Sequence, residues 1–136
     1  MVLTRREDWQ PRLVELANQW RLRPYRYGES DCGCFMLAAV EAVTGIDLLP
    51  GVERPRGWIA AARFFIARGW DDVEGMMNAL VGPSSREQDR PGDVISYEEG
   101  GDLHLAVRVG DVYLTPGRDG LRMISLRMRR RAWRIG

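Results

Sequence analysis

The chain has 136 residues, about the usual size of a single domain and too short for two hydrophobic cores. It is 45% hydrophobic and 29% charged and lacks any long apolar run, a composition that excludes a membrane span and argues against disorder. A formal net charge of +1 does not single out nucleic acid or an anionic membrane as a partner. The charge is uneven, however. Residues 118–136 carry seven Arg against one acid, and all twenty basic residues of the chain are Arg. The amino terminus has no apolar stretch followed by a small-residue cleavage site, so the expectation is a chain made in the cytoplasm without a signal peptide.

Trp9, Leu13, Leu16 and Trp20 recur at helical spacing and predict a first helix over 9–20, with Asp8 as N-cap and Pro11 in the tolerant first turn. Residues 21–30 contain Pro24 and Gly28 and read as a loop. Asp31 is placed to cap a second helix over 32–43, which puts Cys32 in its first turn and Gly45 at its stop. Four prolines and glycines mark 46–57 as a loop, a third helix follows over 58–68, and Asp71 starts a short fourth. Beyond 93 the period falls from 3.6 to 2. Strands are expected over 93–98, 103–109, 112–115, 121–126 and 131–135, with turns at Gly100-Gly101, Gly110-Asp111 and Pro116-Gly117. Helices followed by an antiparallel sheet define an α+β fold, in one domain over residues 1–136.

Cys32 and His104 are the side chains best suited to chemistry. A helix N-terminus and a neighbouring imidazolium both stabilise a thiolate. Cys32 has the first by its position, and His104, the chain's one histidine, is able to supply the second. In the strand over 103–109, Leu103, Leu105, Val107 and Val109 share one face, leaving His104 with Ala106 and Arg108 on the other, where it can meet a helix end. The structural alternatives are a cysteine serving as a small buried hydrophobe and a histidine hydrogen-bonded at the surface. Cys32 and Cys34 are too close in sequence for an unstrained disulfide and read as free thiols on different sides of the helix, Cys34 in the core. A metal site built from both cysteines and His104 lacks a common face and a fourth ligand, so no metal or cofactor is expected.

Two strings add local context: Pro24-Tyr25-Arg26-Tyr27-Gly28 with Asp31-Cys32-Gly33-Cys34-Phe35, and Pro91-Gly92-Asp93-Val94-Ile95 with His104-Leu105-Ala106-Val107-Arg108-Val109-Gly110. Together they resemble the NlpC-type papain-like cell-wall peptidases, whose pattern is a Tyr-x-x-Gly-Gly loop, an Asp-Cys-Ser-Gly helix start, a Gly-Asp-Leu/Val strand and a His-Val-Gly/Ala-x-x-x-Gly hairpin. The first helix and the closing Arg-Ala-Trp-Arg-Ile segment resemble a branch of that superfamily found in phage tail gene clusters. The resemblance implies a papain-like fold, Cys32 as nucleophile, His104 as general base, Tyr25 beside the oxyanion and Asp31 as helix cap. The third polar residue of the family, which orients the base, falls on Thr115 or, with a longer hairpin, on Pro116. Two positions depart from the pattern: Gly33-Cys34 stands for Ser-Gly, and Glu29 for the second loop glycine.

The function expected from this resemblance is hydrolysis of amide bonds in peptidoglycan stem peptides by a peptidase of the virion tail, acting at the host cell wall or periplasm. Phage tail-tip proteins are the expected partners, with no membrane and no nucleic acid. The alternatives are an inactive structural component of the tail tip that keeps the fold, and a host-cytoplasmic amidase. The carboxy-terminal cluster Arg127, Arg129, Arg130, Arg131 and Arg134, with Trp133, reads as a strand that docks on a partner, since Arg and Trp suit interfaces.

Overall fold

The structure is a computed structural model that describes residues 2–136. Helix α1 spans Trp9–Trp20 and buries Leu13 and Trp20 from its apolar stripe. Asp8 does not cap it. Its backbone, at φ −100° and ψ 28°, is not extended, and its carboxylate instead accepts from Arg12 Nε one turn on, at 2.6 Å. Helix α2, Cys32–Thr44, is capped as the sequence suggests: the Asp31 side chain accepts the Cys34 N–H at 2.7 Å, and the helix ends at Gly45. Helix α3 covers Trp58–Arg68 and buries none of its residues. Helix α4, Val73–Leu80, starts one residue later than expected because Asp72, not Asp71, accepts the Gly75 N–H at 2.9 Å. Among the described residues no helix is long and apolar enough to cross a membrane.

Five antiparallel strands follow: β1 Val94–Glu99, β2 Asp102–Val109, β3 Val112–Gly117, β4 Gly120–Ile124 and β5 Arg131–Trp133. Their order across the sheet is β4-β3-β2-β1-β5. The α+β class is therefore observed. Alternation sorts the strand side chains between two faces. Val94, Leu105, Val107 and Trp133 pack with α1, α2 and α4 in the main core, while Ile95, Tyr97, Ala106, Tyr113, Ile124 and Ala132 form a smaller cluster on the other face.

Two strand boundaries differ from the sequence reading. Pro116 was expected to open a turn but lies inside β3, paired with Leu121 of β4. Proline fits there because β2 has already left the opposite edge of β3, so its missing N–H breaks no ladder bond on that side. β4 stops at Ile124, and Leu126–Met128 form a 3-10 turn, for which the Ser125 hydroxyl accepts the Arg127 N–H.

The carboxy-terminal strand forms one edge of the sheet and is tied into its own domain. Trp133 is fully buried, with its indole N–H on Asn78 Oδ1 at 3.1 Å. Arg129 pairs with buried Asp89 at 2.6 Å, Arg130 and Arg131 pair with buried Glu74, and Arg134 pairs with Glu87. Buried carboxylates need such partners, which gives Arg129, Arg130 and Arg131 a role within the domain.

Candidate functional site

The site is created by a split in the sheet. β2 and β3 pair only through Val107 with Leu114, Arg108 with Tyr113, and Val109 with Val112. From Ala106 back along β2, and from Thr115 forward along β3, the strands diverge and leave backbone groups that must find other partners. The chain between α1 and α2 fills the gap. The Gly117 carbonyl accepts the Tyr25 N–H at 3.0 Å, and the Leu105 carbonyl accepts the Thr115 hydroxyl at 2.8 Å. The Leu105 N–H faces the Cys32 thiol. The first turn of α2 is thus wedged where two strands would otherwise continue to pair.

Asp31 holds this arrangement from two sides. One carboxylate oxygen caps α2 and the other accepts the Gly28 N–H at 2.7 Å, which ties the Tyr25 loop to the helix that carries Cys32. Gly28 itself sits at φ +83°, and a Cβ there would lie 2.2 Å from the Pro55 carbonyl oxygen. Only glycine lets the loop press that closely on the segment before α3.

A cavity of about 520 Å³ opens onto the wedge, and Tyr25, Cys32 and His104 all line it. Its far wall is α3 and the following turn, with Trp58, Phe65 and Trp70. Phe65 and Trp70 meet edge to face at 5.5 Å, and Trp58 remains 68% exposed at the rim. The pocket therefore has an aromatic wall opposite the thiol. Its carboxylates include Asp71 and Asp102, neither of which is in an ion pair among the described residues, against the one guanidinium of Arg54.

The thiol of Cys32 is buried, and this pushes its pKa up to about 11. Hydrogen bonding from the Leu105 N–H and from the helix N–H groups works against that rise, and the Asp31 charge adds to it. Cys32 is consequently a neutral thiol at rest. Burial also raises the Tyr25 hydroxyl, helped by the adjacent Cys32, Tyr27 and Asp31, so it remains a proton donor. Its ring meets Tyr27 edge to face at 5.2 Å. Cys34 is half-buried, not a full core residue, and lines the same cavity. Burial and the neighbouring Asp31 push its pKa up to about 12.

Profile comparison adds the family: one described as "Domain of unknown function (DUF6950)" matches residues 4–135. The chain belongs to that family. Among curated proteins, none matches it.

In this DUF6950 chain His104 is half-buried on β2, directly across from Tyr97 on β1. The two rings stack, with centroids 5.3 Å apart and planes 29° apart. His104 Nε2 lies 3.3 Å from the Glu99 carbonyl oxygen. The imidazole thus shares the cavity with Cys32 but spends its hydrogen bond on the β1 backbone and not on the thiol.

Thr115 does not orient the histidine. Its hydroxyl donates to the Leu105 carbonyl and accepts the Tyr97 hydroxyl at 3.4 Å, and the side chain is buried. The Pro116 alternative has no polar side-chain atom to offer. Sequence reasoning missed the residues that do contact the imidazole, Tyr97 and the Glu99 carbonyl. Pairing His104 back across the Gly100-Gly101 hairpin would have located Tyr97, because a two-residue turn fixes the register of both strands.

Proposed function

We propose that this chain is a cysteine amidase with a papain-like arrangement, and that it hydrolyses amide bonds in peptidoglycan stem peptides as a peptidase carried by a phage tail. The observation that carries the reading is the convergence of Cys32, His104 and Tyr25 on one cavity, with Cys32 as the first residue of a capped helix. The wall substrate and the tail setting rest on the resemblance of the two sequence strings to NlpC-type peptidases. The rim carboxylates Asp71 and Asp102 agree with a substrate that carries a free amino group, as the diamino acid of a stem peptide does.

In the proposed reaction His104 takes the Cys32 proton as sulfur attacks the amide carbonyl carbon. The tetrahedral oxyanion is met by the Cys32 N–H and the Tyr25 hydroxyl. The C–N bond then breaks, the imidazolium gives its proton to the leaving amine, and a thioester remains on Cys32. Water, deprotonated by His104, attacks that thioester, and collapse of the second intermediate releases the acid and restores the thiol. Because the resting thiol is neutral, removal of its proton by His104 is part of the reaction.

Two observations favour a second reading, an inactive tail component that keeps the fold: the imidazole is bonded to the Glu99 carbonyl and the thiol is held protonated. Incubation of the purified protein with muropeptides separates the two. Cleaved stem peptides from the wild type and none from Cys32→Ala support the amidase. Equal release by both proteins would exclude Cys32 as nucleophile, and no release by either would favour the structural component.

A further inference from the structure

The imidazole of a cysteine amidase has to be held in one orientation and one tautomer, or its basic nitrogen is not presented to the thiol. No side chain of β3 does this here, since Thr115 bonds Leu105 and Tyr97 and Pro116 carries no polar group. The ring is held from β1 instead. Its face lies on Tyr97, and Nε2 meets the carbonyl of Glu99, two residues further along the same strand and on the same face. A carbonyl only accepts, so the nitrogen opposite it carries the proton and Nδ1 is left as the base.

The Tyr97 ring is itself fixed. It is 2% exposed, it packs in the cluster with Ala106 and Tyr113, and its hydroxyl lies between Thr115 Oγ1 and Arg122 Nη2, 3.4 Å from each. Arg122 is anchored in turn by Glu99, whose backbone supplies the carbonyl. We propose that Tyr97 is the positioning residue for His104: with the Glu99 carbonyl it performs the orienting task that a third polar side chain would perform. Thr115 and Arg122 then act on His104 through Tyr97. This inference rests on the amidase reading for its purpose, but not for its geometry.

The chain has one histidine, so its ring signals in NMR are unambiguous. In protein carrying 15N-labelled histidine, at a pH where the ring is neutral, we expect a single Nε2–H tautomer and upfield ring-proton shifts from the Tyr97 face. Tyr97→Phe should keep those shifts and Tyr97→Leu should lose them. A Nδ1–H tautomer, or wild-type ring protons at random-coil positions, overturns the proposal and needs no variant to fold. With muropeptides, Tyr97→Leu should lower kcat by roughly 10- to 100-fold while KM changes about twofold or less, and Tyr97→Phe should recover most of the loss. A KM effect with unchanged kcat would make Tyr97 part of the binding wall and refute positioning. If the wild type cleaves nothing while the NMR result holds, the amidase reading fails and the positioning of the ring stands.

Discussion

Burial of Cys32 has a measurable kinetic consequence. A thiol of ordinary pKa near 8.5 is roughly 3% thiolate at pH 7. At a pKa of about 11 the fraction falls to roughly one in ten thousand, so alkylation at pH 7 should be slower by about 300-fold from ionisation alone. Restricted access slows it further, but access does not change with pH, so the slope of the profile isolates ionisation. The assay is iodoacetamide modification of a Cys34→Ser variant, followed by mass spectrometry from pH 6 to 10.5. The expected rate rises about tenfold per pH unit through pH 10 without a plateau, since only the thiolate reacts. His104→Ala should leave this resting profile unchanged, because the imidazole is bonded to Glu99 and not to the thiol. A plateau beginning below pH 7, abolished by His104→Ala, would reveal a preformed thiolate-imidazolium pair and refute the neutral resting thiol.

The same burial links alkaline pH to stability. The folded pKa of Cys32 lies above its unfolded value, so its contribution is complete below about pH 9 and is lost as pH rises toward 11. Urea denaturation in a Cys34→Ser background, which removes the similarly raised Cys34, should show about 2–3 kcal/mol lost across that window from this group, and adding Cys32→Ala should reduce the loss by that amount. An equally steep loss in Cys32→Ala would assign it to other groups. Gly28→Ala should destabilise the fold by at least about 1 kcal/mol, because its φ of +83° and the 2.2 Å approach to Pro55 leave no room for Cβ. It should reduce muropeptide cleavage well beyond the fraction unfolded, since the Tyr25 loop must move; cleavage that follows only the folded fraction would show that the loop position does not matter.

The fold class was legible because its signals are local. Helical spacing of Trp9, Leu13, Leu16 and Trp20, the cap at Asp31, and the paired glycines between strands each act within a few residues, and they mark elements that the structure contains. What was missed required knowledge of a competing or a distant partner. Asp8 resembles a cap in sequence, but Arg12 competes for its carboxylate. The ion pairs of the arginines near the carboxy terminus were not legible, because their partners, Asp89, Glu74 and Glu87, lie 40 or more residues earlier. Trp133 gave no sign of being the centre of a core assembled from α2, α4 and β1.

The site shows the same division, and the reason lies in the geometry of the split. Cys32 stood out because it starts a helix and His104 because it is the chain's one histidine, placed on a strand, whereas Tyr25 followed only from the resemblance of its loop string. Thr115 was chosen by counting along β3 as though β2 and β3 stayed paired to their ends. They do not, for the first turn of α2 and the Tyr25 loop take over the backbone groups that the ladder would have used. Once the strands separate, β3 no longer sits beside His104, whereas β1 remains in full register with β2 down to Asp102. The strand still paired is therefore the one able to hold the imidazole. The divergence that admits Cys32 between β2 and β3 also takes β3 away from the imidazole, which leaves Tyr97 and the Glu99 carbonyl on β1 as the groups in contact with the ring.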